Sequence, residues 1–469
     1  MRLAVAAARA AGALSRRTGR GGTSLPGKVL LRLEPEAIGT LAARLPQGSG
    51  VISATNGKTT TAAMVASIME RRGVRLVHNR AGANMAGGVA SALLDGRGEM
   101  GLFEVDEFWL DRVVPQLRPR AVLLANLFRD QLDRYGELEI IADRWAQLIE
   151  RSPHIALVLN ADDPAVADLG RGRDGAPAGS LPSGAAGGEA GPLGGGAAGV
   201  MYFGVEDRGV ALPGLPHATD AKHCRRCGRP YVYDAVLLGH LGHYHCPTGD
   251  SVRPRPDVAA EDVELRGVRS ARFTLRTPQG RAAVSLPLPG LYNVYNALGA
   301  AGLALRLGAS LEEVVAGLEA VEPAFGRAES VEVKGRELSI LLVKNPAGAT
   351  EVVRTLALEP GEHDLLGVLN DRIADGRDVS WVWDADFELL APHVRRAVCA
   401  GTRAPELALR LKYAGVPEER LHVEPDLDRA LDAAVAGGEG RLFAIPTYTA
   451  MLELRERLVA RGVAGSSWE

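Results

Sequence analysis

Gly50-Val51-Ile52-Ser53-Ala54-Thr55-Asn56-Gly57-Lys58-Thr59-Thr60-Thr61 decides how the rest of this chain is read. An apolar, β-branched run enters a short polar turn, and a helical pattern, Ala62-Ala63-Met64-Val65-Ala66-Ser67-Ile68-Met69, leaves it. Strand, tight turn and helix start meet at one point. Backbone N–H groups and the positive end of the helix therefore converge where a phosphate can sit. In that frame Lys58 reaches β and γ oxygens of a nucleoside triphosphate and the Thr59 hydroxyl faces Mg²⁺. Thr55, Asn56, Gly57 and Thr60 complete the cradle. The general phosphate-loop pattern has a glycine where this chain has Ile52, so the stretch is a narrower variant. The plain alternative is a Gly-Lys turn before an ordinary helix. Lysine is scarce here (Lys28, Lys58, Lys222, Lys334, Lys344 and Lys412), which weighs against a chance placement.

The 469 residues predict two to three domains, each with its own core. A formal net charge of −3 gives no sign of a nucleic-acid partner. No stretch reaches the roughly 18 apolar residues of a membrane span. The first 20 residues are Ala-rich but broken by Arg9, Arg16 and Arg17, and read as an amphipathic lead-in helix rather than a signal or transit segment. The expected location is cytoplasmic. Three of the four cysteines cluster, which in a large intracellular chain favours metal over disulfides.

Strand-like runs alternate with helical patterns along most of the length, the signature of α/β layers. Expected strands include 101–105, 121–125, 155–159, 338–343, 365–369, 397–400 and 442–445. The run 170–199 is Gly/Ala/Pro/Ser low complexity and reads as a flexible surface insertion. A Cys/His-containing segment follows at 217–254. The expected organisation is a lead-in over 1–45, a nucleotide-binding α/β domain over 46–325 carrying both insertions, and a second α/β domain over 326–469.

Glu104 closes the strand Phe103-Glu104-Val105, where a carboxylate beside the loop can bind Mg²⁺. Asp106 and Glu107 read equally well as solvated acids before a helix. Further along come Asn126-Leu127-Phe128-Arg129-Asp130-Gln131-Leu132-Asp133, Asn160-Ala161-Asp162-Asp163, Gly290-Leu291-Tyr292-Asn293-Val294-Tyr295-Asn296 and Phe325-Gly326-Arg327. The i, i+3 spacing puts Asn293 and Asn296 on one helix face. The T-N-G-K-T-T loop and these four elements, in this order, resemble the Mur ligase family. That resemblance implies that Asn160, Asp162, Asn293 and Asn296 lie near the nucleotide and that Arg327 is a hinge arginine meeting phosphate across the domain cleft. Where the family has a metal-holding His, this chain has Gln131.

The cysteine segment reads Cys224-Arg225-Arg226-Cys227 and then His245-Cys246-Pro247-Thr248-Gly249. Paired knuckles about 20 residues apart make a structural zinc ribbon. Cys224, Cys227 and Cys246 are three ligands, and Gly249 stands where the related family has a fourth cysteine. His223, His240, His243, His245 or Asp250 remains open as the fourth, and so does a loop that has lost metal and persists by packing.

Asn79-Arg80-Ala81-Gly82-Ala83-Asn84-Met85, the cysteine segment, Val343-Lys344-Asn345-Pro346-Ala347-Gly348, the run Leu369 to Trp381 and Pro446-Thr447-Tyr448-Thr449-Ala450-Met451-Leu452 sharpen the resemblance to one branch, the MurT family. What that resemblance implies is a synthetase subunit that amidates the α-carboxyl of D-glutamate in the lipid II stem peptide through an acyl phosphate, at the inner membrane face. The ammonia would come from a separate GatD-type glutaminase. One aspartate of the C-terminal unit (Asp371, Asp375 or Asp378) would complete that partner's Cys-His pair. The one remaining cysteine, Cys399, lies in an apolar strand and reads as a buried structural thiol. Two alternatives stand beside this: a stand-alone Mur- or folylpolyglutamate-type amino-acid ligase, and a nucleotide-gated scaffold. The retention of Lys58, Thr59 and Glu104 together argues against the scaffold.

Overall fold

The computed structural model describes residues 1–17, 24–79, 83–129, 138–173, 199–216, 219–322, 327–436, 438 and 440–463. Most of the low-complexity run, Gln131, Asp133, Gly326 and the side chain of Arg327 lie outside the described residues.

The larger lobe is a nine-stranded mixed sheet in the order β11-β10-β9-β6-β5-β4-β1-β3-β2. Its strands are β1 (Ser49–Ser53), β2 (Leu76–His78), β3 (Met100–Glu104), β4 (Ala121–Leu124), β5 (Ala156–Asn160), β6 (Val200–Val205), β9 (Val258–Arg266), β10 (Ser270–Thr277) and β11 (Gly280–Leu286). The strands from β2 to β9 run parallel, and β9, β10 and β11 close one edge as an antiparallel meander. Alternation in the central strands feeds two cores. Ile52, Leu102, Leu123 and Val158 point into one layer, and Val51, Phe103, Val122 and Leu157 into the other. Burial of each such side chain contributes roughly 1.5–3 kcal/mol, so a one-residue register slip reverses both faces at once.

Helices α1 (Arg2–Arg17), α2 (Leu25–Leu33), α3 (Ala37–Ala42), α5 (Ala86–Asp95) and α6 (Leu110–Leu117) belong to the Val51 layer. Helix α4 (Lys58–Arg71) and the helices Leu291–Arg306 and Leu311–Glu319 cover the other. The second insertion forms a hairpin of β7 (Val232–Leu238) and β8 (Leu241–His245).

The smaller lobe is a six-stranded sheet, β12-β13-β17-β14-β15-β16. It comprises β12 (Arg327–Val333), β13 (Arg336–Leu341), β14 (His363–Val368), β15 (Val394–Ala400), β16 (Leu421–Val423) and β17 (Leu442–Pro446). All pairs but β12/β13 are parallel. Every strand expected from the sequence is present, with ends moved by three residues at most. No helix among the described residues is long and apolar enough to cross a membrane.

β1 lies between β4 and β3, so the chain leaves it to the helix α4 at a point where the strand order reverses. Ligands of open α/β sheets sit in the crevice beyond the carboxyl ends of the strands at such a point. Ser53, Glu104, Leu124 and Asn160 are the last residues of four neighbouring strands, and they aim the site.

Candidate functional site

The turn after β1 is held open by its own glycine. Gly57 has φ of +86°, and a Cβ there would fall 2.0 Å from Asn296 Oδ1, so both backbone conformation and the neighbouring helix demand glycine. Asn56 N donates to Asn126 Oδ1 at 2.9 Å, Asn126 Nδ2 returns a bond to Asn56 O at 3.1 Å, and Phe128 N donates to Thr55 Oγ1 at 3.1 Å. The loop after β4 thus fixes the cradle.

Thr59 Oγ1 donates to Glu104 Oε1 at 3.1 Å. Asn79 Nδ2 donates to Glu104 O at 2.7 Å and its Oδ1 accepts from Glu104 N at 3.0 Å, which locks the strand end that carries the carboxylate. A hydroxyl and a carboxylate side by side, both hard oxygen donors, fit a Mg²⁺ ion. Lys58 Nζ donates to the carbonyl of Ala54 and to Glu107 Oε2 at 2.9 Å. Burial opposes charge on Lys58, but Glu107 and then Glu104 outweigh it and hold the ammonium above the ordinary lysine range. Glu107 is a residue for which sequence reading weighs a solvated acid evenly against a functional one. Its side chain is mostly buried against Lys58, and Asp106 is buried too.

The smaller lobe reaches the same turn. Lys344 Nζ donates to Thr55 O at 3.0 Å. Asn345, completely buried, exchanges amide hydrogen bonds with Asn56, Nδ2 to Asn56 Oδ1 at 3.0 Å and Oδ1 from Asn56 Nδ2 at 3.3 Å. Its Oδ1 also accepts from Gly348 N at 2.9 Å, capping the Pro346–Ala357 helix. Between the lobes lies a cavity of about 130 Å³ lined by Asn126, Tyr292, Asn293, Asn296, Lys344 and Glu351 among others. Glu351 is buried there, its Oε1 has no hydrogen-bond partner, and Arg354 Nη1 stands 3.8 Å away. Burial, only partly offset by Arg354, pushes the Glu351 carboxyl up to about 7.

The other residues singled out from sequence are placed as follows. Asn296 Nδ2 donates to Asn293 Oδ1 at 3.0 Å and Asn293 Nδ2 to Pro289 O at 2.8 Å, with the pair against the glycine of the turn. Asn160 Nδ2 donates to Ala125 O at 2.9 Å. Asp162 is fully buried and accepts from Arg253 Nε at 2.6 Å, Tyr295 OH at 2.6 Å and Val205 N at 2.9 Å. Its carboxylate joins three elements behind the cavity.

The Sγ atoms of Cys224, Cys227 and Cys246 all lie within 4.8 Å of one another. The Thr248 hydroxyl is 2.9 Å from Cys246 Sγ, 3.3 Å from Cys227 Sγ and 2.5 Å from Asp250 Oδ2. Thr248 holds the Cys246 thiol down at about 6. Three convergent sulfurs, one of them acidified, fit a tetrahedral metal such as zinc. Among the described residues, no His, Asp or Glu shares that cluster. His243 bonds Val205 O at 2.8 Å, His245 lies 3.3 Å from Asp234, and His240 Nε2 lies 3.3 Å from Asp163 inside the core.

The C-terminal acids sit on the loop after β14. Asp375 is buried and accepts from Thr449 N at 2.7 Å and Thr449 Oγ1 at 2.5 Å. Asp371 accepts from Thr402 Oγ1 and Arg403 Nε, each at 2.8 Å; the Thr402 bond first, then Arg403, keeps its carboxyl below the usual range. Asp378, exposed, accepts from Ser380 N at 2.8 Å. Cys399 is buried in β15, and burial pushes its thiol up to about 12.

Comparison with known proteins places this geometry. Residues 52–178 match the Mur ligase middle domain and residues 342–451 the MurT ligase C-terminal domain. The chain is 31% identical over 452 residues to the lipid II isoglutaminyl synthase (glutamine-hydrolyzing) subunit MurT of Staphylococcus aureus strain N315, covering 95% of this chain and 94% of that one. The same-named subunit of Streptococcus pneumoniae strain R6 is 31% identical over 456 residues, with the same coverage of each chain. In fold the chain resembles a pseudomurein peptide ligase type C from Methanothermus fervidus (TM-score 0.68, 21% identity, 90% of this chain and 80% of that one). It also resembles the MurF ligase of Thermotoga maritima in complex with ADP (TM-score 0.62, 12% identity, 92% and 84%).

Proposed function

The chain belongs to the MurT family, and from that premise we propose that it is the synthetase subunit of a glutamine-dependent amidotransferase acting on lipid II. It is a ligase of the Mur type, with ATP·Mg²⁺ on Thr55 to Thr60 and the base in the cavity between the lobes. The division into a nucleotide-binding domain ending at 325 and a C-terminal domain from 326 belongs to the same proposal.

The observation that carries the reading is the meeting of two ammonium groups, Lys58 from one lobe and Lys344 from the other, on a single phosphate-loop turn. Lys58 exchanges Glu107 for the β and γ oxygens, and Lys344 exchanges the Thr55 carbonyl for phosphate. Arg327, by resemblance, adds charge from the hinge. Mg²⁺, held by Thr59 and Glu104, would neutralise the phosphates. A carboxylate oxygen of the substrate attacks the γ-phosphorus and ADP departs, giving an acyl phosphate. Ammonia then attacks the acyl carbon, loses a proton to solvent, and phosphate leaves with the former carboxylate oxygen. The carboxylate is the α-carboxyl of D-glutamate in the stem peptide, and the product is D-isoglutamine.

Ammonia comes from a GatD-type glutaminase. Asp371 and Asp378 are the C-terminal acids with surface left to offer a partner, whereas Asp375 spends both oxygens on Thr449. The cysteine cluster has no acid–base pair beside it, and zinc there is structural.

Mass spectrometry of lipid II after incubation with the chain, ATP, Mg²⁺ and glutamine tests the proposal. Conversion of one carboxyl to a carboxamide only with the glutaminase present is the expected result. Failure with the glutaminase and also with excess ammonium, while an amino acid stimulates ATP hydrolysis, would favour the stand-alone ligase.

A further inference from the structure

The first 33 residues contain seven Arg and Lys and no Asp or Glu, in a chain whose formal net charge is −3. Positive charge is therefore concentrated at one end of an otherwise acidic protein. The structure folds this segment into α1 and α2, packed on each other, with Met1 meeting Glu34 at 2.5 Å.

Helix α1 has two distinct faces. Ala4, Ala8, Gly12 and Ser15 recur at helical spacing and are buried against the lobe. Opposite them, Leu3, Ala7, Ala10 and Leu14 form a second stripe that no described residue covers, with Leu3 88% and Leu14 65% exposed. On α2, Leu25 and Leu33 are exposed as well. Four of the sixteen exposed large apolar side chains among the described residues thus fall in this short segment. Arg2, Arg9, Lys28 and Arg32 are exposed beside them. Arg9 donates to Leu94 O at 3.3 Å and lies 3.8 Å from Asp95, while Glu34 is paired with the Met1 ammonium.

We propose that the exposed face of α1 and α2 docks on an anionic lipid bilayer, with Leu3 and Leu14 in the interfacial layer and Arg2, Arg9, Lys28 and Arg32 against lipid phosphates. An apolar stripe flanked by cations, on short helices whose own sequences contain no acid, is the composition of helices that lie in a membrane surface. At 16 residues α1 is about 24 Å long, too short and too charged to span the hydrocarbon. A self-associating surface would mix both signs; this one repels its own copy. The inference rests on charge and exposure, and the lipid-linked substrate proposed above gives the docking a purpose.

Flotation of the full chain with its glutaminase, on vesicles without lipid II, tests the docking by itself. Co-flotation with phosphatidylglycerol vesicles, absence from phosphatidylcholine vesicles and release by salt are expected. Leu3→Asp/Leu14→Asp and Arg2→Glu/Lys28→Glu/Arg32→Glu should each lower the bound fraction about tenfold or more. Those variants should keep the wild-type thermal midpoint and amidate a short-chain, detergent-dispersed substrate at the wild-type rate, while slowing on substrate embedded in vesicles. Wild-type protein that stays unbound on anionic vesicles at low salt would overturn the proposal. So would a dimer that Leu3→Asp/Leu14→Asp converts to monomer, because the face would then belong to a second copy. Flotation without amidation under any condition would leave the docking intact and count against the amidotransferase instead.

Discussion

The phosphate-loop turn and the cysteine cluster are both small cradles marked by short sequence patterns, yet they are held in opposite ways. In the turn these polar side chains already have protein partners: Lys58 has Glu107, Thr59 has Glu104, and Asn56 has Asn345 from the far lobe. Its bonds run from the loop into two sheets, so the fold does not need a ligand to stand. In the cluster three sulfurs face one another around a shared point, with Cys227 and Cys246 Sγ 3.3 Å apart and the Thr248 hydroxyl within reach of both. Thiols contribute little hydrogen bonding, so under the zinc proposal that arrangement would gain stability from an ion, whereas the turn would exchange existing partners for a nucleotide.

Metal removal is the largest break available. Structural zinc supplies about 10 kcal/mol or more in isolated fingers, partly replaced here by packing of Cys224 and Cys246 against Tyr231 and Tyr244. Elemental analysis should find zinc in the purified protein, and chelation or Cys246→Ala should open the hairpin to proteolysis and hydrogen exchange. Protein without metal that exchanges as slowly would mean the cradles are alike. On the other side, Lys58→Ala should lower turnover by about 10²–10³-fold at saturating ATP while the far-ultraviolet spectrum is unchanged. Retained turnover would reduce the turn to a scaffold.

Glu351 is the exception within the well-partnered site. Its carboxyl titrates near 7 in the fold, above the value of about 4.3 in unfolded chains. The unfolded state therefore ionises first as pH rises. The stability associated with the neutral carboxyl is complete below about pH 4 and is lost up to about pH 7, amounting to at most about 4 kcal/mol. Glu351→Gln should flatten chemical denaturation midpoints across that window; an unchanged slope would show the group is solvated. Smallest is Asn345→Ala, which strands Asn56 and removes a helix cap. A cost of about 1–2 kcal/mol raises KM for ATP by about 5–30-fold, measured by steady-state kinetics, with little change in thermal midpoint.

Local patterns carried much of this into view. Strand, glycine turn and helix start are contiguous, so Thr55 to Thr60 were legible, and Glu104 was legible as an acid at a strand end. The three cysteines announced themselves by spacing. What stayed hidden is tertiary. Glu107 looked as much like a solvated acid as a functional one because nothing local shows that the turn after β3 brings it to Lys58, 49 residues earlier. The Asn56–Asn345 pair joins positions 289 residues apart. Period-two alternation in β8 puts His243 and His245 on the face away from Cys246, which explains why nearby histidines do not join the cluster. Asp162 was expected near nucleotide, and the bonds it makes are to Arg253, Tyr295 and Val205. Asp371, Asp375 and Asp378 could not be separated by spacing, and burial separates Asp375 from the others.

Transfer of phosphate to a carboxylate at the Lys58 turn is the central step of the proposed reaction. The most direct measurement uses lipid II labelled with ¹⁸O in the D-glutamate α-carboxyl, incubated with both subunits, ATP, Mg²⁺ and glutamine, with oxygen followed by mass spectrometry. Inorganic phosphate carrying one labelled oxygen for each carboxamide formed is the predicted result. Carboxamide formation with unlabelled phosphate, or with the label in AMP, would contradict it.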